Sequence, residues 1–92
     1  MATTMNHYTP PVVFHPGETL AEKLEEMGMS IKEFAIRVTK PEKTIIAIIR
    51  GDSSITSDMA VSFESVTQIP AHFWMNKQRV YDEYIAREKR ER

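Results

Sequence analysis

The chain has no cysteine and only three glycines among its 92 residues. Without thiols it forms neither a disulfide nor a thiolate metal site, and a reducing cytosol is the compartment such a composition suits. With so little glycine there is no phosphate-cradling loop of the usual form, and neither G-x-S-x-G nor H-E-x-x-H occurs. The three histidines, His7, His15 and His72, are too scattered to suggest a metal site. No run approaches the roughly 20 apolar residues of a membrane-spanning helix. The opening MATTMNHYTPPVVF lacks the basic start and apolar block of a secretory signal. Together these absences predict a cytoplasmic protein that is not an enzyme and carries no cofactor or metal. Excess positive charge is missing as well. The net charge of −1 argues against a strongly steered, nonspecific DNA binder. The sum hides an imbalance: residues 61–92 carry five acidic and six basic side chains, and residues 1–60 carry eight and six.

What is present is helical punctuation. Ninety-two residues suffice for one compact domain. Residues 1–15, with Pro10 and Pro11 and no helical period, read as an extended arm, and residues 16–92 as the domain. From Pro16 to Met27, Leu20, Leu24 and Met27 share one face, and Gly28 supplies a stop. Ser30 and Glu33 have the spacing of a reciprocal capping box for a short helix ending near Val38, with Ile31, Phe34, Ala35 and Val38 inward. Pro41 starts a helix to Arg50, closed by Gly51, and Thr56 caps the next, through Met59, Ala60, Phe63 and Val66. Pro70 opens a long helix over residues 70–90, where Phe73, Trp74, Val80, Tyr81, Tyr84 and Ile85 form an apolar stripe. The fold is therefore all-α, a bundle of five helices.

Residues 30–50 have the spacing of a helix-turn-helix, with Ala35 and Ile45 placed to meet where the two helices cross. Any αα-hairpin shows a similar period, so spacing alone leaves DNA binding open. Four stretches narrow it. His15-Pro16-Gly17-Glu18-Thr19-Leu20, Met29-Ser30-Ile31-Lys32-Glu33-Phe34-Ala35, Ile55-Thr56-Ser57-Asp58-Met59-Ala60, and Phe73-Trp74-Met75-Asn76-Lys77-Gln78 followed by Tyr81-Asp82 resemble, in order and spacing, the HigA family of addiction-module antitoxins. The resemblance covers roughly residues 15–82. It implies a lambda-repressor-like DNA-binding bundle, homodimerisation, repression of a palindromic operator, and neutralisation by contact of a HigB-type mRNA-cleaving toxin.

The turn departs from the family pattern. Thr39 stands where a glycine is usual, Lys40 where an apolar residue is usual, and Pro41 where serine usually starts the recognition helix. A β-branched residue resists positive φ, which predicts a turn built differently.

Within residues 41–51, PEKTIIAIIRG, the residues Ile45, Ile48 and Ile49 fall on one core-facing side. Ile46 and Ala47 lie elsewhere, where an isoleucine packs on a thymine methyl or on a protein partner. Lys43 suits a guanine edge and Thr44 a phosphate or base, and Arg50 completes the polar set. Glu42 suits either a cytosine amino group or simply a helix N-terminus. Lys32, Lys40, Ser53 and Ser54 flank the helix, as phosphate contacts or as solvated surface. On the last helix, Trp74 reads as a core anchor or a dimer anchor, while Val80, Tyr81, Tyr84 and Ile85 predict a homodimer seam or a toxin surface. Two other readings stand beside the antitoxin: a protein-interaction module on a degenerate helix-turn-helix, and a stand-alone mobile-element repressor.

Overall fold

A computed structural model describes residues 13–90. Within them lie five helices and no strand: α1 (Pro16–Met27), α2 (Ile31–Arg37), α3 (Glu42–Ile49), α4 (Ser57–Thr67) and α5 (Ala71–Arg90). Most of the expected arm, residues 1–12, lies outside the described residues.

Three consecutive helices end in the same way. At Gly28, Thr39 and Gly51 the backbone turns left-handed, with φ of 65°, 57° and 84°. Each time, the turn residue's N–H bonds the carbonyl three back and the next N–H bonds the carbonyl five back. The pairs are Gly28→Glu25 and Met29→Leu24, Thr39→Ile36 and Lys40→Ala35, and Gly51→Ile48 and Asp52→Ala47, all between 2.8 and 3.2 Å. This is the Schellman closure, which satisfies carbonyls a helix end would leave bare. The expectation that Thr39 imposes a different turn is therefore overturned. The hydrogen bonds and the burial of Val38 beside it hold threonine in the glycine conformation.

The same closure corrects a core residue. Met27, which the period placed inward, is exposed, whereas Met29 packs on the core. After a Schellman turn it is the second residue beyond the helix that folds back on the last buried turn, and that residue is Met29. At α2 the capping box is only half formed. Ser30 Oγ accepts from the Glu33 N–H at 3.0 Å, but the Glu33 carboxylate turns to Arg37 at 2.8 Å. Pro41 is the N-cap of α3 and not its first helical residue, and it supplies no side-chain cap. Thr56 caps α4 as expected, accepting from Met59 N–H.

The core joins Leu20 and Leu24 of α1, Phe34 and Ala35 of α2, Ile45 and Ile48 of α3, Ala60 and Phe63 of α4, and Trp74 of α5, with Val38 and Ile55 from the connections. Ile49 packs on its edge, so all three isoleucines assigned inward are there. An edge-to-face series of rings, Phe34 to Phe63 (5.1 Å) and Phe63 to Trp74 (5.6 Å), ties α2, α4 and α5 together. Trp74 has no exposed surface, so it anchors α5 to α4 and is withdrawn from the dimer seam.

Candidate nucleic-acid interface

The outer edge of α3 follows from its period. Positions 43, 47 and 50 are spaced i, i+4, i+7 and so share a face; Ile45 and Ile48 fill the opposite side. Lys43 and Arg50 are exposed, and Ala47 and Ile46 are half-buried between them. Glu42 is exposed and Thr44 half-buried in the first turn. Lys32 is exposed in the first turn of α2; beyond α3, Ser53 is half-buried and Ser54 exposed.

The cations here divide into two sets. Arg37 is paired with Glu33 on its own helix, and Lys40 reaches Asp58 at the start of α4 at 2.8 Å. That bridge stitches the turn to α4 and gives the ammonium group expected at a phosphate a largely exposed carboxylate as partner. Lys32, Lys43 and Arg50 have no carboxylate within 4.0 Å among the described residues. They are the cations of the helix-turn-helix that remain available to an anion.

Behind α3 the structure builds a support that the sequence reading did not anticipate. His15 is buried and acts as the N-cap of α1, its Nδ1 accepting from the Gly17 N–H at 2.9 Å. Its ring stands edge-on to Tyr81 of α5 at 4.8 Å and lies beside Gly51, 3.7 Å from where a Cβ there would stand. Burial lowers its pKa below the usual 6.5, against the opposing pull of Asp82, the Ser53 backbone, Glu18 and Asp52. Gly17 lies against the main chain of Ile48 and Ile49, closer than any side chain would permit. The first turn of α1 is therefore pressed onto the end of α3, which explains a glycine inside a helix.

Gln78 is the other unforeseen residue. It is buried on α5, its Oε1 accepting from the Ile55 N–H at 2.8 Å and its Nε2 donating to Asp82 at 3.0 Å. Its place one turn after Trp74, on the buried face, was the available signal. Of the residues expected at a seam, Tyr81 is committed partly to His15 within the protomer. Val80 is exposed, and Tyr84 and Ile85 are half-buried.

A short second helix, a tight left-handed turn and a third helix with an open edge, carried on a five-helix bundle, define a repressor-type helix-turn-helix protein. No protein-family model matches the chain. The HTH-type transcriptional regulator YddM of Escherichia coli K12 is 27% identical over 66 residues, 72% of this chain and 70% of that one. The HigA-family addiction module antidote protein of Coxiella burnetii superposes with a TM-score of 0.82 at 35% identity, over 86% of this chain and 87% of that one. The Pseudomonas aeruginosa antitoxin HigA, solved with the higBA promoter, gives 0.75 at 31% identity, over 86% and 90%. The chain belongs to the HigA family of addiction-module antidotes.

Proposed function

We propose that this chain is a DNA-binding antitoxin. As a homodimer it represses its own operon from a palindromic operator, and it neutralises a HigB-type toxin protein by direct contact. The observation that carries the DNA-binding part is the set of cations without an ion-pair partner among the described residues, Lys32, Lys43 and Arg50, along a helix-turn-helix whose other cations are paired. The promoter-bound HigA relative supports the same reading.

In this reading Lys43, Thr44, Ile46, Ala47 and Arg50 meet base edges and phosphates in the major groove, with Glu42 at the helix entrance. Lys32, Ser53 and Ser54 hold phosphates on either side. Lys40 contributes through Asp58, by bracing the turn. The open stripe of α5, Val80 with Tyr84 and Ile85, forms the seam. It sets the two recognition helices about 34 Å apart, one helical turn of DNA. Few base contacts are available, so part of the discrimination comes from DNA shape.

Fluorescence anisotropy against DNA from upstream of the gene, at two salt concentrations and beside scrambled DNA, is the test. A preference for the upstream DNA of roughly 10³ or more supports an autorepressor. Equal, weak and salt-labile binding to both would reduce the interaction to phosphate attraction and leave the protein-interaction reading in its place.

A further inference from the structure

The loop that closes the helix-turn-helix, residues 51–56, is held from behind at two points. His15 packs against Gly51, and Gln78 takes the Ile55 N–H. Buried polar side chains among the described residues are His15, Thr67 and Gln78. Thr67 bonds a carbonyl of its own helix, whereas the other two both reach this loop. We propose that Gln78 is a positioning residue for DNA binding: its buried amide sets the loop so that Ser53 and Ser54 meet the phosphate backbone. This rests on the DNA-binding reading above.

The chemistry leaves the amide one orientation. The Ile55 N–H needs an acceptor, and the Asp82 carboxylate can only accept. Only the carbonyl toward the loop and the NH₂ toward Asp82 satisfies both, at 2.8 and 3.0 Å. Ile55 itself is buried, so its N–H has no alternative in solvent while the loop keeps its place. Without the acceptor the peptide unit between Ser54 and Ile55 must rotate toward water. That unit also carries the Ser54 carbonyl, and it lies beside Thr56, the cap of α4. The serines move with it. Lys32, Lys43 and Arg50 stand on α2 and at α3 and its end, outside this peptide unit, so their contribution to binding should persist.

Three variants and two readouts test this. Gln78→Met keeps the length and removes the acceptor. In Gln78→Glu/Asp82→Asn the polarity of the pair is exchanged: the carboxylate accepts from the Ile55 N–H and from the introduced amide at 82. Asp82→Asn alone is the control for charge. Amide hydrogen exchange at Ile55 is read in the free protein, and upstream-DNA affinity is titrated over salt, with a thermal melt to establish folding. Gln78→Met should remain folded, exchange faster at Ile55 and bind roughly tenfold more weakly, the worth of about one charge-assisted hydrogen bond, at an unchanged salt slope. The double variant should restore exchange and affinity. A folded Gln78→Met protein with wild-type affinity overturns the assignment. A reduced salt slope overturns it too, because cations on the helices would then have moved. Should Gln78→Met fail to fold, the double variant decides: wild-type affinity supports the proposal and loss of affinity overturns it. Wild-type protein that protects the Ile55 amide yet ignores its upstream DNA sinks the DNA-binding reading, and the proposal with it.

Discussion

A single methyl group at Gly17 tests how tightly α1 sets the recognition helix. A Cβ built there stands 2.8 Å from the Ile48 carbonyl carbon and 3.0 Å from the Ile49 Cα, with the Ile48 carbonyl oxygen nearer still. All three are main-chain atoms, so no rotamer change relieves the clash and one helix must shift. Overpacking costs about 1–3 kcal/mol where side chains can yield; backbone against backbone places this substitution near ~3 kcal/mol. Alanine's better helical propensity returns about 0.5–1 kcal/mol, leaving a net loss of roughly 2 kcal/mol or somewhat more. For a domain of this size each kcal/mol is worth about 4–8 °C, so Gly17→Ala should melt about 8–20 °C below wild type by circular dichroism. Gly28→Ala is the matched control. Gly28 has φ +65° and nothing within 4 Å of a built Cβ, so only the left-handed conformation resists, at about 1–2 kcal/mol. Its loss should be the smaller of the two. A Gly17→Ala protein melting within about 2 °C of wild type would refute the close approach.

Thr39→Gly should raise stability. It relieves about 1–2 kcal/mol of left-handed strain and returns about 0.5–1 kcal/mol to the freer unfolded chain, a gain of a few degrees in Tm; a lower Tm would contradict the strained turn. His15 has a lowered folded pKa, so its contribution to stability is full above its unfolded value of 6.5 and is lost as pH falls from there through the folded value. His15→Asn, which keeps a capping oxygen, should flatten that acid limb in denaturant titrations at stepped pH; an unchanged limb would assign it to other groups. Lys43→Ala and Arg50→Ala should each weaken binding to upstream DNA and reduce the salt slope by about 0.9, while Lys40→Ala should chiefly lower Tm; equal slopes in all three would dissolve the division between paired and unpaired cations. Val80→Asp, at a side chain 40% exposed in the protomer, should leave the fold intact and shift sedimentation from dimer to monomer, and a persistent dimer would place the seam elsewhere.

The helices were legible because each carries its own start or stop. Ser30 and Thr56 cap as their side chains suggest, and Gly28 and Gly51 end their helices with positive φ. The inward isoleucines followed from the 3.6-residue period. Depth did not follow from it, because a period gives a direction around the axis and not how far the core extends along it. That is why Met27 is exposed and Met29 inside. Thr39 misled for a related reason. Local propensity disfavours the turn it makes, but the closing hydrogen bonds and neighbouring burial outweigh the roughly 1–2 kcal/mol at stake. Gln78 was hidden by the hydrophobic pattern itself. A polar residue on an apolar stripe is read as a gap, and its partner is a backbone N–H 23 positions earlier, with no local trace.

The placement of the family-like stretches separates the frame from the surface that reads. His15 and Gly17 bear on the end of α3 and the loop beyond it, Trp74 on Phe63, and Gln78 with Asp82 on Ile55. None of these side chains needs to touch a ligand to matter, since each fixes the main chain that presents one. The departures, Thr39, Lys40 and Pro41, fall in the turn and at the N-cap of α3, at positions that are exposed or half-buried. There a substitution meets solvent and the closing hydrogen bonds use backbone atoms alone, so the turn keeps its shape with threonine in place of glycine. The frame thus aims α3 through residues other than those on its outer edge, so under the proposed DNA-binding reading a change at Ile46 or Ala47 should alter sequence preference more than stability.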